Sequence, residues 1–232
     1  MSTPAWCVGR VPVAGRFVAL LVYLLVAEGA MAGSADDALL RAAALGDKAA
    51  VVSALNAGAT IDGRDAKLQT PLLIAIQNDN RDVAAHLIAR GADINAAAAN
   101  DDTPWLLAGA LGRAPLLAAM LETGKVDYTR RNRYGGNALI PACERGHVET
   151  VRLLLEHSRI DVNHINNLGW TALIEAVILS DGGPRHIEIV RLLLEHGADP
   201  NIADRDGISP LKHARDRRYD AIAGMFAEAG GK

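Results

Sequence analysis

The sequence predicts an all-α fold in which short helix-turn-helix units stack into a solenoid with projecting β-turn tips. Three observations support this prediction. A Thr-Pro-Leu-like motif recurs along the chain, a Gly-Ala-like motif follows most copies, and apolar stretches with helical spacing lie between the two. Aromatic residues make up only 4% of the 232 residues. A core built mainly from Ala, Leu and Val favours closely packed helices over a sandwich or a barrel.

Composition and charge exclude several classes of protein. The chain has 24 Lys and Arg against 27 Asp and Glu, a net charge of -3, so it lacks the basic footprint of a nucleic-acid-binding protein. Half of the residues are hydrophobic and 22% are charged, which argues against wholesale disorder. Two cysteines are too few for a disulfide framework. We therefore expect a folded helical protein with no nucleic-acid partner.

Residues 1–32 differ from the rest and predict a cleavable signal peptide. Arg10 and Arg16 precede an unbroken apolar run, and small residues follow it. The run is shorter than the ~20 apolar residues of a membrane-spanning helix. We expect cleavage after Ala32, which leaves a domain over 33–232 without a membrane span. Export to the periplasm of a Gram-negative organism is the first interpretation and secretion from the cell is the alternative; an uncleaved N-terminal anchor is a further one.

The recurring motif divides the chain into six units. Its copies start at intervals of 33, 34, 34 and 38 residues, at Thr70, Thr103, Asn137, Thr171 and Ser209. Thr or Ser followed by Pro suits the start of a short inner helix, because the hydroxyl caps free amides and Pro there loses no hydrogen bond. An outer helix follows, and a glycine ends it in most units. The predicted units span 35–64, 65–97, 98–131, 132–165, 166–203 and 204–229, the first and last as caps.

The connections between inner and outer helices contain glycines with expected roles. Gly112 and Gly146 stand where the inner helix ends and a positive φ is expected. The fifth unit has about five extra residues, located at Ser180–Pro184. Because this insert contains Gly-Gly-Pro, it is predicted to be a loop and not an extension of a helix.

The pattern resembles ankyrin repeats over nearly all of residues 35–229. The clearest copies are Gly146–His157, its echo at His186–His196, and the Gly-Ala-Asp-x-Asn turns that begin at Gly91 and Gly197. The copies depart from the family pattern because none has His directly after the motif leucine. The resemblance implies binding to other proteins and no chemistry common to the fold. Some exported members are associated with peroxide resistance beside catalases, so an oxidative-stress enzyme such as a catalase is a candidate partner by resemblance only.

No catalytic, metal or cofactor site is predicted. The sequence has no phosphate-binding glycine loop, Gly-x-Ser-x-Gly elbow or His-Glu-x-x-His pair. Glu156-His157 and Glu195-His196 look like acid–base pairs, but they occupy the same helix end in two units. His164 and His213 have no partner at ligand spacing.

Cys143 has two interpretations. It follows Ala142 in the inner helix of the fourth unit, where small residues pack, so the first is a buried, inert thiol. The second is a redox-sensing thiol whose pKa is lowered by Arg145 and His147.

The turn tips and the inner-helix positions facing the groove form the predicted partner-binding surface, because core packing leaves them free to vary. Tyr134 and Trp170 lie on adjacent tips, and interface hot spots are enriched in Tyr, Trp and Arg. The tips of the fourth and fifth units are therefore the predicted contact centre. Alternatively, the Trp170 side chain folds back and packs against the neighbouring turn. Trp105 is expected in the core. The predicted binding residues are Lys67, Asn100, Arg133, Tyr134, Glu144, Arg145, Leu168, Trp170 and Arg205.

Together these observations predict a non-enzymatic scaffold or adaptor in the cell envelope that binds a partner protein. Two alternatives stay open at this point. One is a redox sensor or accessory factor in oxidative-stress defence that uses Cys143, and the other is a secreted effector that binds a host protein.

Overall fold

A computed structural model describes residues 35–232, and the predicted signal peptide over 1–32 lies outside the described residues. Within 35–232 the chain forms helices and turns without strands. The helices come in six consecutive pairs, an inner helix followed by an outer one. They are α1 (35–45), α2 (Lys48–Asn56), α3 (Pro71–Gln77), α4 (Arg81–Ala89), α5 (Pro104–Ala110), α6 (Ala114–Glu122), α7 (Leu139–Glu144), α8 (Val148–His157), α9 (Ala172–Ile178), α10 (Pro184–Glu195), α11 (Pro210–Asp216) and α12 (Asp220–Glu228).

The inner helices start at side-chain caps, as the motif predicts. In four units a hydroxyl accepts a hydrogen bond from the backbone N–H three residues later, at Thr70, Thr103, Thr171 and Ser209. The fourth unit uses an amide instead, because Asn137 Oδ1 accepts from the N–H groups of Leu139 at 3.1 Å and Ile140 at 3.3 Å. Asparagine therefore replaces threonine without loss of the cap.

The units share one continuous core. From the second unit onward, each inner helix contacts the next inner helix, and the outer helices from α2 to α12 do the same. The alanine common to the inner helices is fully buried in five units, at Ala75, Ala108, Ala142, Ala176 and Ala214. Its small side chain lets neighbouring helices approach closely. Trp105 is 2% exposed and packs edge-to-face against Tyr128 with ring centroids 6.0 Å apart, which confirms its place in the core.

The turns between inner and outer helices agree with the sequence in two units and differ in a third. Gly112 and Gly146 have φ values of +70° and +71°, as predicted. In the fifth unit, Pro184 is the first residue of α10 and does not belong to the loop. The prediction that the whole insert is a loop is therefore wrong at its last residue. Proline has the φ of a first helical turn and needs no N–H partner there, so it lengthens α10.

No helix within residues 35–232 is both long enough and apolar enough to cross a lipid bilayer.

Candidate partner-binding site

A pocket of about 270 Å³ lies where the fourth unit meets the fifth. Its walls come from α7 and α9 and from the turn tips that precede these helices. Five of the nine predicted binding residues line it, namely Arg133, Tyr134, Glu144, Arg145 and Leu168. The fold therefore brings residues that are up to 35 positions apart into one site.

Apolar side chains form the rim of this pocket. Tyr134 is 51% exposed, Leu168 45% and Leu179 47%, although all three are large hydrophobic residues. The guanidinium of Arg133 lies 4.8 Å from the centre of the Tyr134 ring, which is within the range of a cation–π contact. The rim therefore offers apolar area that association with another molecule would remove from water.

A buried carboxyl group, that of Glu175 in α9, also lines the pocket. Glu175 is only 5% exposed, and its Oε1 accepts a hydrogen bond of 2.8 Å from the side-chain amide of Asn166. Burial raises the pKa of Glu175 to about 7, and the negative charge of Glu144 adds to the shift. The Asn166 hydrogen bond and the charge of Arg145 oppose it in part.

Glu175 is absent from the binding residues predicted from the sequence. The equivalent positions carry Ile74, Leu107 and Pro141 in the preceding units and His213 in the last one. A carboxyl group at a position that is apolar in three neighbouring units was the signal that could have identified it. The alignment of units contains this signal, whereas the degree of burial becomes visible only in the structure.

Glu144 and Arg145 end α7 at one side of the pocket. Arg145 Nη1 donates a hydrogen bond of 2.7 Å to the carbonyl of Ala110, so its guanidinium is tied to the third unit. The carbonyl of Glu144 lies 3.1 Å from Nε2 of His186, whose Nδ1 lies 3.1 Å from Asp181 in the insert. The insert of the fifth unit is thereby connected to the helix end that carries Glu144.

Four predicted binding residues lie outside the pocket. Trp170 is half-buried, and its backbone N–H donates to Asn166 Oδ1 at 3.0 Å within its own turn. Lys67 and Asn100 are exposed on the second and third tips. Arg205 donates to the carbonyl of Asn167 on the preceding tip, so its side chain links two tips.

Cys143 is fully buried in α7. Burial raises the pKa of its thiol well above the usual value, and the negative charge of Glu175 adds to the rise. The alternative in which Arg145 and His147 lower this pKa is therefore wrong, because both groups of causes, the loss of water and the charge of Glu175, raise it. These surroundings favour the inert interpretation over a redox-sensing thiol.

Within residues 35–232, no three His, Cys, Asp or Glu side chains come together as a group that could hold a metal ion.

Comparison with known proteins places this fold among its relatives. Residues 105–204 match a family model for ankyrin repeats in three copies, and residues 67–99 match the single ankyrin repeat. The chain is 39% identical over 191 residues to the putative ankyrin repeat protein YahD of Escherichia coli K12, a match that covers 82% of this chain and 94% of the relative.

Solved structures show the same likeness. A crystal structure of an ankyrin repeat domain from Acinetobacter baumannii AYE has 48% identity and a TM-score of 0.79, covering 84% of this chain and 98% of that one. The ankyrin repeat domain of Bcl-3, a member of the IkappaB protein family, has 29% identity and a TM-score of 0.74, covering 84% of this chain and 86% of that one. The chain therefore belongs to the ankyrin repeat family, whose stacked units are protein–protein interaction modules.

Proposed function

We propose that this chain is a non-enzymatic adaptor that captures a partner protein on the tips and inner helices of its fourth and fifth units. One observation supports this choice of surface above the others. Three of the exposed large hydrophobic side chains, Tyr134, Leu168 and Leu179, surround the same pocket. Clustered exposed apolar groups mark interaction sites more often than scattered ones do.

The proposed setting is the cell envelope, with the periplasm as the compartment. The basic flank, apolar run and small residues of 1–32 support this part of the proposal. An oxidative-stress enzyme such as a catalase is the partner that the family resemblance suggests. Cell fractionation tests the compartment: mature chain in the periplasmic extract supports an envelope adaptor, whereas mature chain in the medium supports the alternative of a secreted effector.

Affinity capture from periplasmic extract tests the surface. The bait is compared with a Tyr134→Ala/Leu168→Ala double variant and with a control, Leu45→Ala. Leu45 is a leucine that is 81% exposed on α1, far along the chain from the pocket. We expect the affinity of the double variant for the partner to fall about thirtyfold, the loss that removal of one hot spot of ~2 kcal/mol produces. The control should recover as much partner as wild type. Equal recovery by all three baits would contradict the proposed surface.

A further inference from the structure

We propose that the pocket between the fourth and fifth units receives one basic side chain of the partner protein, an arginine or a lysine. The cation would pair with the carboxylates of Glu175 and Glu144, and the aliphatic part of the side chain would lie along the apolar rim. This inference rests on the proposed function and specifies the chemistry of the partner at that site.

Glu175 has a carboxyl oxygen that is free to accept a hydrogen bond. Its Oε1 accepts from Asn166 at 2.8 Å. Within residues 35–232 Oε2 accepts no hydrogen bond, and it is not among the fully buried unpartnered atoms, so it is open to the pocket. A carboxylate that is 5% exposed loses most of its hydration, and such a group is stable as an anion only when it is paired and hydrogen-bonded. The pocket therefore contains an anionic site without its full complement of donors.

Neither guanidinium group at the pocket is hydrogen-bonded to Glu175, although the charge of Arg145 acts on this carboxyl. Arg145 is hydrogen-bonded to the carbonyl of Ala110, and Arg133 lies over the ring of Tyr134. Because neither guanidinium donates a hydrogen bond to Glu175 in the described chain, this carboxylate is available to pair with a cation of another molecule.

The size and lining of the pocket suit a single side chain. Its volume of about 270 Å³ is below the ~300–1,000 Å³ typical of small-molecule sites and fits a single long side chain. An arginine or lysine side chain combines an apolar stem with a charged end. The exposed apolar groups of Leu168 and Leu179 match the stem, and the buried carboxyl of Glu175 matches the charge.

The proposal predicts how binding responds to pH. The charged and titratable groups that act on Glu175 are Glu144, the last residue of α7, and Arg145, which follows it. The neutral thiol of Cys143 lies in α7. In α11, Lys212 pairs with Asp216, and His213 lies 2.7 Å from Asp204 of the preceding tip. In α10, which also packs against α9, His186 contacts Asp181, and Glu188 pairs with Arg152 and Arg191. With the pKa of Glu175 at about 7, raising the pH from 6 to 8 ionises this carboxyl and should strengthen cation binding about tenfold.

The test uses n-butylguanidinium as an arginine side-chain probe and n-butylurea as its uncharged counterpart. Binding to the full chain is followed by ¹H–¹⁵N NMR titration at pH 6 and pH 8. We expect the cation to shift amide signals of the fourth and fifth units, to bind about tenfold more tightly at pH 8, and to bind more tightly than the urea. A probe that binds more tightly at pH 6, or a urea that binds as well as the cation, would overturn the proposal in favour of a protonated Glu175 that donates a hydrogen bond.

Variants connect the effect to the carboxylates. Glu175→Gln should weaken binding of n-butylguanidinium about tenfold, the loss expected for one hydrogen bond to a charged group, and should remove the pH dependence. Glu144→Gln, at the partly exposed helix end, should weaken binding less. Because the charge of Glu144 contributes to the raised pKa of Glu175, this variant should shift the pH dependence to lower pH without removing it. Glu228→Gln on α12 is the control and should bind as wild type does. If Glu175→Gln binds the cation as tightly as Glu228→Gln, the proposal is wrong.

This result is distinguishable from failure of the proposed function. Suppose that the Tyr134→Ala/Leu168→Ala variant loses partner capture but wild type does not bind the probe. The proposed binding surface would then stand, and the proposal that it receives a basic side chain would be wrong. Suppose instead that probe binding depends on Glu175 but the double variant captures the partner as well as wild type does. The cation site would then stand, and the proposed binding surface would be wrong.

Discussion

The side-chain amide of Asn166 donates a hydrogen bond of 2.8 Å to Glu175, and the equivalent positions of the next unit carry Asp204 and His213, whose side chains lie 2.7 Å apart. Both pairs connect a turn tip to the inner helix that follows it. In the sixth unit the carboxylate faces an imidazole that can carry a positive charge. In the fifth unit the carboxyl faces a neutral amide, so the pair supplies a hydrogen bond to the ionised form but no opposite charge.

We predict that Glu175→Gln raises the free energy of unfolding at pH 8. The pKa of Glu175 is about 7 in the folded chain against an ordinary value of 4.5. Between these values the unfolded chain loses the proton first, so stability falls as the pH rises through this window and the full penalty remains above it. Glutamine cannot ionise, and the gain should be about 3 kcal/mol at pH 8 and near zero at pH 4. Urea denaturation at the two pH values measures it.

Glu228→Gln is the matched control for this measurement and should show no such pH-dependent gain. A Glu175→Gln variant that is less stable than wild type at pH 8 would mean that the carboxylate is already satisfied within the folded chain. Greater stability together with weaker binding of the cation probe would identify Glu175 as a residue that costs stability and serves binding.

We predict that Cys143 reacts slowly with thiol reagents in the native protein. Its side chain is fully buried, and its raised pKa lowers the fraction of reactive thiolate. In a Cys7→Ser variant Cys143 is the only thiol, so its labelling is measured directly. We expect the rate to rise by orders of magnitude in denaturant, because labelling then no longer waits for local opening. Equally fast labelling in both conditions would restore the redox-sensor alternative.

The features that recur from unit to unit could be predicted from the sequence. The features found in one unit only were harder to predict. The caps at Thr70 and Asn137 and the positive φ at Gly112 follow from local chemistry that recurs in unit after unit. The environment of Glu175 depends on its burial between two inner helices and on Asn166, nine residues earlier. No local propensity describes that environment.

The sequence also does not predict the side-chain directions on the turn tips. Repeat spacing places Tyr134, Trp170 and Arg205 on tips, but it does not determine which way each side chain points. Tyr134 lines the pocket, Trp170 is half-buried outside its lining, and Arg205 reaches back to the carbonyl of Asn167. Packing between neighbouring tips decides these directions, and the residue types alone do not encode it.

We predict that Gly112→Ala destabilises the chain more than Gly124→Ala does. Both glycines have left-handed backbones, with φ of +70° and +65°, so each substitution costs about 1–2 kcal/mol of backbone strain. A Cβ at Gly112 would lie 2.7 Å from the ring of His147, whereas a Cβ at Gly124 would meet nothing within 4 Å. We expect an additional loss of about 1 kcal/mol for Gly112→Ala from this crowding, measured by chemical denaturation. Equal losses would show that the His147 ring moves away freely.

We predict that Glu188→Gln destabilises the stack of outer helices in a pH-dependent way. Glu188 of α10 accepts hydrogen bonds from Arg191 at 2.6 Å and from Arg152 of α8 at 2.8 Å, and these guanidinium groups lower its pKa from 4.5 to about 2. The stabilisation is therefore complete above pH 4.5 and is lost as the pH falls towards 2. Because these side chains are partly exposed, we expect about 1 kcal/mol at pH 7, with a smaller difference at pH 3 and in 1 M NaCl. Glu149→Gln on α8 is the control, and a Glu188→Gln deficit independent of pH and salt would reject the ion-pair explanation.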